Sequence, residues 1–453
     1  MLKNLFLLTE ERPKTDVVEK ILDIYCCKHK KEFKKSNINI KPIILDNILE
    51  HYLVEGYSIS NIFSIKLKLI SGYSSFVDYL LFESTNDPNP EESFRYLKMA
   101  IEETKTDSGE SRNTAAGQRA TKFAFLSHYK DKFSTDFLSV MLYNDHTKQS
   151  KVDTDSVRFM KKCMKTMNVE FYGDNSTDLN PFNSIDELIQ EKNSLRKPPA
   201  GNVPVRISKK DEDIYISGRL SKPVNKGNIG HDPNVGQITG ISSALRQLGH
   251  KDKIIVTHHA VKQSVVNNMS KNKFTIAATF LGIDLSDGIK LPKNEIDSRY
   301  WKYEMRTEKV SSILLHMICD QVGYKLVYEN HAGSERGYFY DELENKITVA
   351  KKYNNININL PDYVFRDNEQ KKIYIVEAEM HKNLDKGLEQ IKSFDLFEEL
   401  FVKKYFPHFI VSRVICLSNS IKGFHHPKVI FGIDRNNELI VNEITPKKIK
   451  DFT

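Results

Sequence analysis

The chain has 453 residues, of which 40% are hydrophobic and 28% are charged, and its formal net charge is +7 at pH 7. This length and composition fit a globular protein of two or three domains with buried cores. No apolar run approaches the ~18 residues that a membrane helix needs, and the N-terminal residues lack the pattern of a secretory or transit peptide.

The five cysteines form neither a CxxC pair nor a cluster at zinc-ligand spacing. A disulfide framework and a structural zinc site are therefore disfavoured, and a cytoplasmic protein that does not enter a membrane is expected. The modest positive charge is compatible with a polyanionic partner but does not require one.

Three sections follow one another along the chain. Residues 1–175 mix helical patterns with alternating runs, and residues 64–70 read as a half-buried strand. Residues 176–295 begin with a linker rich in Pro, Asn and Ser, then give strands, a Gly-rich stretch and a helix near 238–248. Residues 296–453 alternate helices and strands in an α/β order. We expect a first domain, a connecting middle domain that contacts DNA, and a third domain.

The first chemical motif lies on two neighbouring apolar runs, residues 75–82 and 96–105, which read as strands. Period-2 alternation places Glu103 and Lys105 on one face, where Asp78 could join them. Asp78 and Glu103 would bind Mg²⁺, and Lys105 would orient the nucleophile or stabilise developing charge. Because ExK is common in a chain rich in Lys and Glu, a solvated strand end is the alternative interpretation.

The segment after this motif is polar, almost free of acidic residues and enters a helix. Its side chains are of the kinds that contact phosphates and base edges. The predicted DNA-binding residues are Arg112, Asn113, Gln118, Arg119 and Lys122.

The second motif lies in the last section. A helix at 306–322 starts near Glu308, a strand follows Pro361-Asp362, and the next strand ends in Glu377-Ala378-Glu379. Burying these carboxylates is costly unless a metal or partner compensates. We predict Asp362, Glu377 and Glu379 as catalytic, with Glu308, Asp362 and Glu377 as metal ligands. The alternative is a degenerate domain kept for DNA contact or dimerisation.

With these motifs the chain resembles type II restriction endonucleases of the PD-(D/E)xK superfamily, its N-terminal part being similar to the EcoRI-type branch. Valine replaces the proline before Asp78, and Glu379 stands where lysine is usual. The resemblance implies two mixed sheets flanked by helices and Mg²⁺-dependent cleavage of double-stranded DNA at a short site. It also implies a functionally paired methyltransferase. The sequence leaves open whether the chain is a monomer or a homodimer.

Two alternative functions remain open at this stage. One is a repair or recombination nuclease that recognises DNA structure, and the other is a catalytically inactive DNA-binding subunit. The sequence gives neither the recognition site nor the cut position.

Overall fold

The computed structural model divides the chain differently from the three predicted domains. It describes residues 2–73, 75–91, 93–105, 109–144, 154–173, 179–195, 205–220, 233–267, 273–294, 299–331, 333, 336–353 and 356–452. Unit 1 combines Met1–Ser71 with Tyr303–Thr453, and unit 2 is Gly72–Lys302. The N-terminal segment thus packs with the C-terminal part of the chain. No local sequence pattern predicts this packing.

The N-terminal part of unit 1 contains four strands and one helix. They are β1 (Lys3–Thr9), α1 (Thr15–Lys28), β2 (Phe33–Leu45), β3 (Ile48–Ile59) and β4 (Ile62–Gly72). Strands β2 and β3 form an antiparallel hairpin, β4 pairs antiparallel with β3, and β1 pairs parallel with β4. Asp46 and Asn47 both have positive φ at the β2–β3 turn, which is typical of a tight hairpin.

Among the residues described, unit 2 contains a run of four paired strands, a separate four-stranded sheet and six α-helices. In chain order they are β5 (Tyr79–Ser84), β6 (Leu97–Lys105), α2 (Gly109–Phe133), β7 (Leu138–Asn144), α3 (Asp155–Thr166), β8 (Val169–Tyr172), α4 (Ile185–Ser194), β9 (Arg206–Lys210), β10 (Asp213–Ser217), α5 (Pro233–Gln247), β11 (Ile254–Thr257), α6 (Gln263–Val266), α7 (Lys273–Leu281), β12 (Ile283–Leu285) and β13 (Trp301–Tyr303), which ends at the unit boundary.

In the main sheet of unit 2, β5 pairs antiparallel with β6, and β6, β7 and β8 are parallel neighbours. The parallel step from β6 to β7 is made through the long helix α2, as a crossover requires. The second sheet has the order β12-β11-β10-β9.

Among the residues described, the C-terminal part of unit 1 contains an eight-stranded sheet and a separate two-stranded sheet of β17 and β18. Its elements are α8 (Glu308–Gln321), β14 (Lys325–Glu329), β15 (Arg336–Tyr340), β16 (Lys346–Ala350), β17 (Lys352–Tyr353), β18 (Ile356–Asn357), β19 (Tyr363–Asp367), β20 (Lys372–Met380), α9 (Leu384–Lys392), α10 (Asp395–Phe397), β21 (Ile410–Ser420), β22 (Val429–Asp434), β23 (Leu439–Val441) and α11 (Lys447–Phe452).

The eight-stranded sheet has the order β16-β15-β14-β19-β20-β21-β22-β23. Strand β20 is central and almost wholly buried, which explains its continuous apolar run up to the two glutamates. It pairs antiparallel with β19 and parallel with β21, and helices α8 and α9 pack against β20 and β21. The chain is therefore an α/β protein with mixed sheets flanked by helices, as predicted at that level.

Candidate functional site

The two sequence motifs give two sites, which we call the first site (around Asp78) and the second site (around Asp362). The second site contains Asp362, Glu377 and Glu379 and lies where β19 begins and β20 ends. Tyr363 pairs across the sheet with Val376, so the preceding Asp362 lies opposite Glu377. The Oδ2 atom of Asp362 accepts a hydrogen bond from the backbone N–H of Ala378 at 2.8 Å. The strand pairing thus brings the predicted residues together.

Glu377 and Glu379 flank Ala378, and each is only 5% exposed. Glu379 Oε1 accepts from Lys386 Nζ of α9 at 3.1 Å, whereas Glu377 Oε2 has no hydrogen-bond partner among the described residues. A buried carboxylate oxygen without a partner is costly. It is the group in the second site best suited to receive a cation.

Burial, followed by the charges of Asp362 and Glu379, raises the pKa of Glu377 to about 10. Burial is also the main cause that raises the pKa of Asp362 to about 7; the charges of Glu379 and Glu308 add to the rise. Glu308 itself is exposed in the first turn of α8. Without a cation, burial and the repulsion between these carboxyl groups favour their protonated forms at neutral pH.

The first site repeats the backbone arrangement of the second. Asp78 directly precedes β5, and its Oδ2 atom accepts from the backbone N–H of Glu103 at 2.7 Å. Tyr79 pairs with Ile101, so Asp78 lies opposite Glu102. Glu102 therefore corresponds to Glu377 of the second site.

The predicted face of β6 was wrong by one residue. The carboxylate of Glu103 lies on the side of Tyr79, whose hydroxyl donates to Glu103 Oε2 at 3.4 Å. Lys105 pairs through its backbone with Asn144, and its side chain lies outside the described residues. Cross-strand neighbours share a face, so Glu102, not Glu103, faces Asp78.

Two cations from α2 approach the first site. Lys122 Nζ donates to Glu102 Oε2 at 2.6 Å and lies 3.9 Å from Asp78 Oδ1, while Arg119 Nε lies 3.5 Å from Glu102 Oε1. Burial lowers the pKa of Lys122, but the charges of Glu102 and Asp78 more than offset this and raise it. We call Arg119 and Lys122 the cation pair.

The predicted DNA-binding residues all belong to α2, but the structure describes them unequally. Arg112 and Asn113 are helical, and their side chains lie outside the described residues. Gln118 is exposed. Arg119 and Lys122 both face the carboxylate of Glu102 on β6. Their own segment is almost free of acidic residues, so the counter-charge comes from this strand.

Helix α2 is held against α5 by small residues. A Cβ atom at Gly236 would lie 2.4 Å from the backbone of Gly117, and one at Gly240 would lie 2.7 Å from the Cβ of Ala120. Next to this crossing, the hydroxyls of Thr121 and Thr239 are 2.6 Å apart. The helix that carries the cation pair is therefore closely packed against α5.

A third cluster, absent from the sequence prediction, lies between α8 and β14 in unit 1. Ligand atoms of His316, Glu329 and His331 lie within 4.8 Å of one another. His316 Nδ1 is 2.9 Å from His331 Nε2, and His331 Nδ1 is 3.0 Å from the Ser312 hydroxyl. Burial, with the charge of Arg12, lowers the pKa of His316 well below its usual value. Two neutral histidines and a carboxylate are a donor set that zinc accepts.

The side chain of Arg12 already contacts this third cluster. Arg12 Nε donates to Glu329 Oε2 at 2.8 Å, and that oxygen is also the one 3.6 Å from His316 Nδ1. Lys14 Nζ lies 3.4 Å from the other oxygen of Glu329. Burial would raise the pKa of Glu329, but Arg12 and Lys14 lower it well below its usual range. The cluster could hold a metal only if Arg12 withdrew.

Comparisons of the chain with protein-family models, with curated proteins and with solved structures find no match. Among the described residues, no helix combines the length and apolar character needed to cross a membrane.

Proposed function

We propose that the protein is a divalent-metal-dependent endonuclease that hydrolyses phosphodiester bonds of double-stranded DNA, with two PD-(D/E)xK-like sites in one chain. One observation supports this above all. In both sites an aspartate before one strand accepts from a backbone N–H of the adjacent antiparallel strand, next to a buried glutamate. The repetition of this arrangement around Glu102 and Glu377 favours a shared chemical role over a chance match.

The residues of the second site fit a hard cation. Asp362 Oδ1, Glu377 and Glu379 offer carboxylate oxygens, which Mg²⁺ prefers, and Glu377 Oε2 lacks another partner among the described residues. A bound divalent cation would supply positive charge for the phosphate and acidify an attacking water. Lys386 is positioned by Glu379 to place an ammonium near the phosphate, in the role that the usual lysine of the motif would fill.

In the first site Asp78 and Glu102 would hold the cation, and Lys122 would supply the ammonium from α2. Thr104 occupies the position on β6 that corresponds to Glu379. The reaction forms a bond from water oxygen to phosphorus and breaks one ester bond, leaving a phosphate monoester and a hydroxyl. Two sites in one chain provide one for each DNA strand.

The test is incubation of the purified chain with supercoiled plasmid in Mg²⁺ and in chelator. Discrete linear fragments in Mg²⁺ alone support a restriction endonuclease. A smear supports the structure-specific repair nuclease instead. No cleavage of plasmids of varied sequence, together with retained DNA binding, would refute the proposal and support an inactive binding subunit.

A further inference from the structure

The two sites differ in what occupies their buried glutamates. Both oxygens of Glu102 face cations, Lys122 at 2.6 Å and Arg119 at 3.5 Å. Glu377 has one oxygen without a hydrogen-bond partner in the described part of the chain. In the second site Lys386 is the one cation among the described residues that contacts a carboxylate, and its side chain is 70% exposed.

Charge follows the same division. In the first site two cations, Arg119 and Lys122, face the two carboxyl groups of Asp78 and Glu102. In the second site, among the described residues, a single lysine, Lys386, contacts the group formed by Asp362, Glu377 and Glu379. The charge of Glu308 also acts on Asp362. A dication entering the first site would meet two positive groups at contact distance from its ligands, whereas one entering the second site would relieve repulsion.

We propose that the cation pair keeps the first site closed to divalent metal in the free protein, and that a DNA phosphate opens it by taking up Arg119 and Lys122. The inference rests on the proposed function, since it assigns the regulation of the same site. The second site, by contrast, takes its metal without DNA.

The side chains suit such an exchange. Those of Lys122 and Arg119 are 24% and 21% exposed, so both are partly accessible to solvent while they face the buried carboxylate. A phosphate offers charge-assisted hydrogen bonds of the same kind as Glu102 does. Once the pair turns to the phosphate, Glu102 and Asp78 are left as two uncompensated carboxylates beside it.

Thermodynamic linkage makes the effect reciprocal. If DNA increases the affinity of the first site for metal, metal increases the affinity for DNA by the same factor, and couplings of this kind are typically about 5–150-fold. Metal binding and DNA binding can each therefore report the coupling without any cleavage.

The first experiment is Mn²⁺ calorimetry on the full chain without DNA, in the Glu377→Gln background that disables the second site. We expect the association constant for Mn²⁺ to be at least about tenfold lower in this variant than in the wild-type protein. Adding Lys122→Met should create a Mn²⁺ site in the free protein, and further adding Glu102→Gln should remove it. Lys132→Met, an exposed lysine on the same helix, is the matched control and should create no site.

The second experiment measures the anisotropy of a labelled mixed-sequence duplex with and without Ca²⁺ as a non-cleaving ion. In the Glu377→Gln protein, Ca²⁺ should tighten DNA binding about tenfold or more, and Glu102→Gln should abolish that gain. Thermal unfolding followed by circular dichroism checks each variant, and Lys122→Gln replaces Lys122→Met if the latter does not fold.

Two results would overturn the inference. One is free Glu377→Gln protein that binds Mn²⁺ as tightly as it does after Lys122→Met is added. The other is a Lys122 variant that gains no Mn²⁺ site. Loss of the proposed function would look different, since absent cleavage by the wild-type chain leaves the calorimetry and anisotropy results unchanged.

Discussion

The two carboxylate sites share a backbone design and differ in their electrostatics. In each, an aspartate is fixed by one N–H of the next strand, at 2.7 Å for Asp78 and 2.8 Å for Asp362. In the first site two cations from α2 contact the buried glutamate, whereas the second site has a third carboxylate and, among the described residues, a single exposed lysine in contact with it. Strand pairing thus sets where the ligands lie, and the following helix sets the charge they experience.

The difference teaches why one motif cannot be read in isolation. Glu379 occupies the position where the motif usually has a lysine. Lys386 of α9 nevertheless places an ammonium group at this position, because it donates a hydrogen bond to the carboxylate of Glu379. Thr104 likewise lacks a charge, and Lys122 supplies one from α2. In both sites the positive group comes from the helix after the strand, so the spacing within the strand does not reveal it.

The largest expected effect is on the rate of plasmid cleavage, and it should show that each site cuts a different DNA strand. Because a group that stabilises transition-state charge is worth about 10²–10³ in rate, Glu377→Gln and Glu102→Gln should each slow plasmid linearisation at least about 100-fold. Each variant should stop at open-circular DNA, with nicks on opposite strands when the products are sequenced. If Glu377→Gln linearises plasmid at the normal rate, the second site is not catalytic.

Stability should respond most to the third cluster. The side chains of Arg12 and Glu329 are only 15% and 13% exposed, so Arg12→Met would leave a buried carboxylate and should cost about 3–5 kcal/mol. Urea unfolding measures the change. Lys392→Met, which breaks a pair whose side chains are 70% and 73% exposed, should change stability little. A similar loss in both variants would contradict the buried role of Arg12.

The pH dependence of metal stabilisation should distinguish the second site. Burial raises the folded pKa values of Asp362 and Glu377 to about 7 and about 10, from ordinary values near ~4. Without metal, the folded state therefore holds protons that the unfolded chain releases. Their stabilisation is complete below the unfolded pKa values and is lost as pH rises through the folded ones.

A divalent cation replaces these protons, so Mg²⁺ should raise the thermal unfolding midpoint more at about pH 8 than at about pH 6. Glu377→Gln should remove most of this difference, whereas Glu102→Gln should retain it. An equal effect of both substitutions would show that the two sites take metal alike in the free protein.

The smallest expected effect concerns Glu103. Its backbone N–H holds Asp78, but its carboxylate lies with Tyr79 on the opposite face. Glu103→Gln keeps the backbone donor and should leave the cleavage rate close to wild type, in contrast to Glu102→Gln. Single-turnover cleavage of plasmid compares the two, and a large loss in Glu103→Gln would restore the original assignment of that residue.

Much of the local structure follows from the sequence. The apolar runs predict β6 and β20, and the apolar periodicity predicts α8. Period-2 alternation predicts that Glu377 and Glu379, on one strand, point to the same face of the sheet. It cannot predict which residues of β6 share a face with Asp78, because Asp78 lies next to a different strand. That relation depends on the pairing of Tyr79 with Ile101, which a single-residue shift would reverse.

The third cluster was beyond local patterns for a different reason. Arg12 reaches Glu329 across a sequence separation of 317 residues, and the partners come from α8 and β14. The only local signals were a histidine on the apolar helix, His316, and the neighbouring Glu329 and His331. Neither signal indicates a shared site until the tertiary packing is known.

The tight contact of α2 with α5 has a consequence for timing. With Gly236 against Gly117, and Gly240 against Ala120, the two helices have little room to slide. Exchange of Arg119 and Lys122 between Glu102 and a phosphate would then be a side-chain rotation, which takes picoseconds to nanoseconds when the head groups reach solvent. Typical enzymes turn over about ten times per second, so this step would re-equilibrate many times within each catalytic cycle.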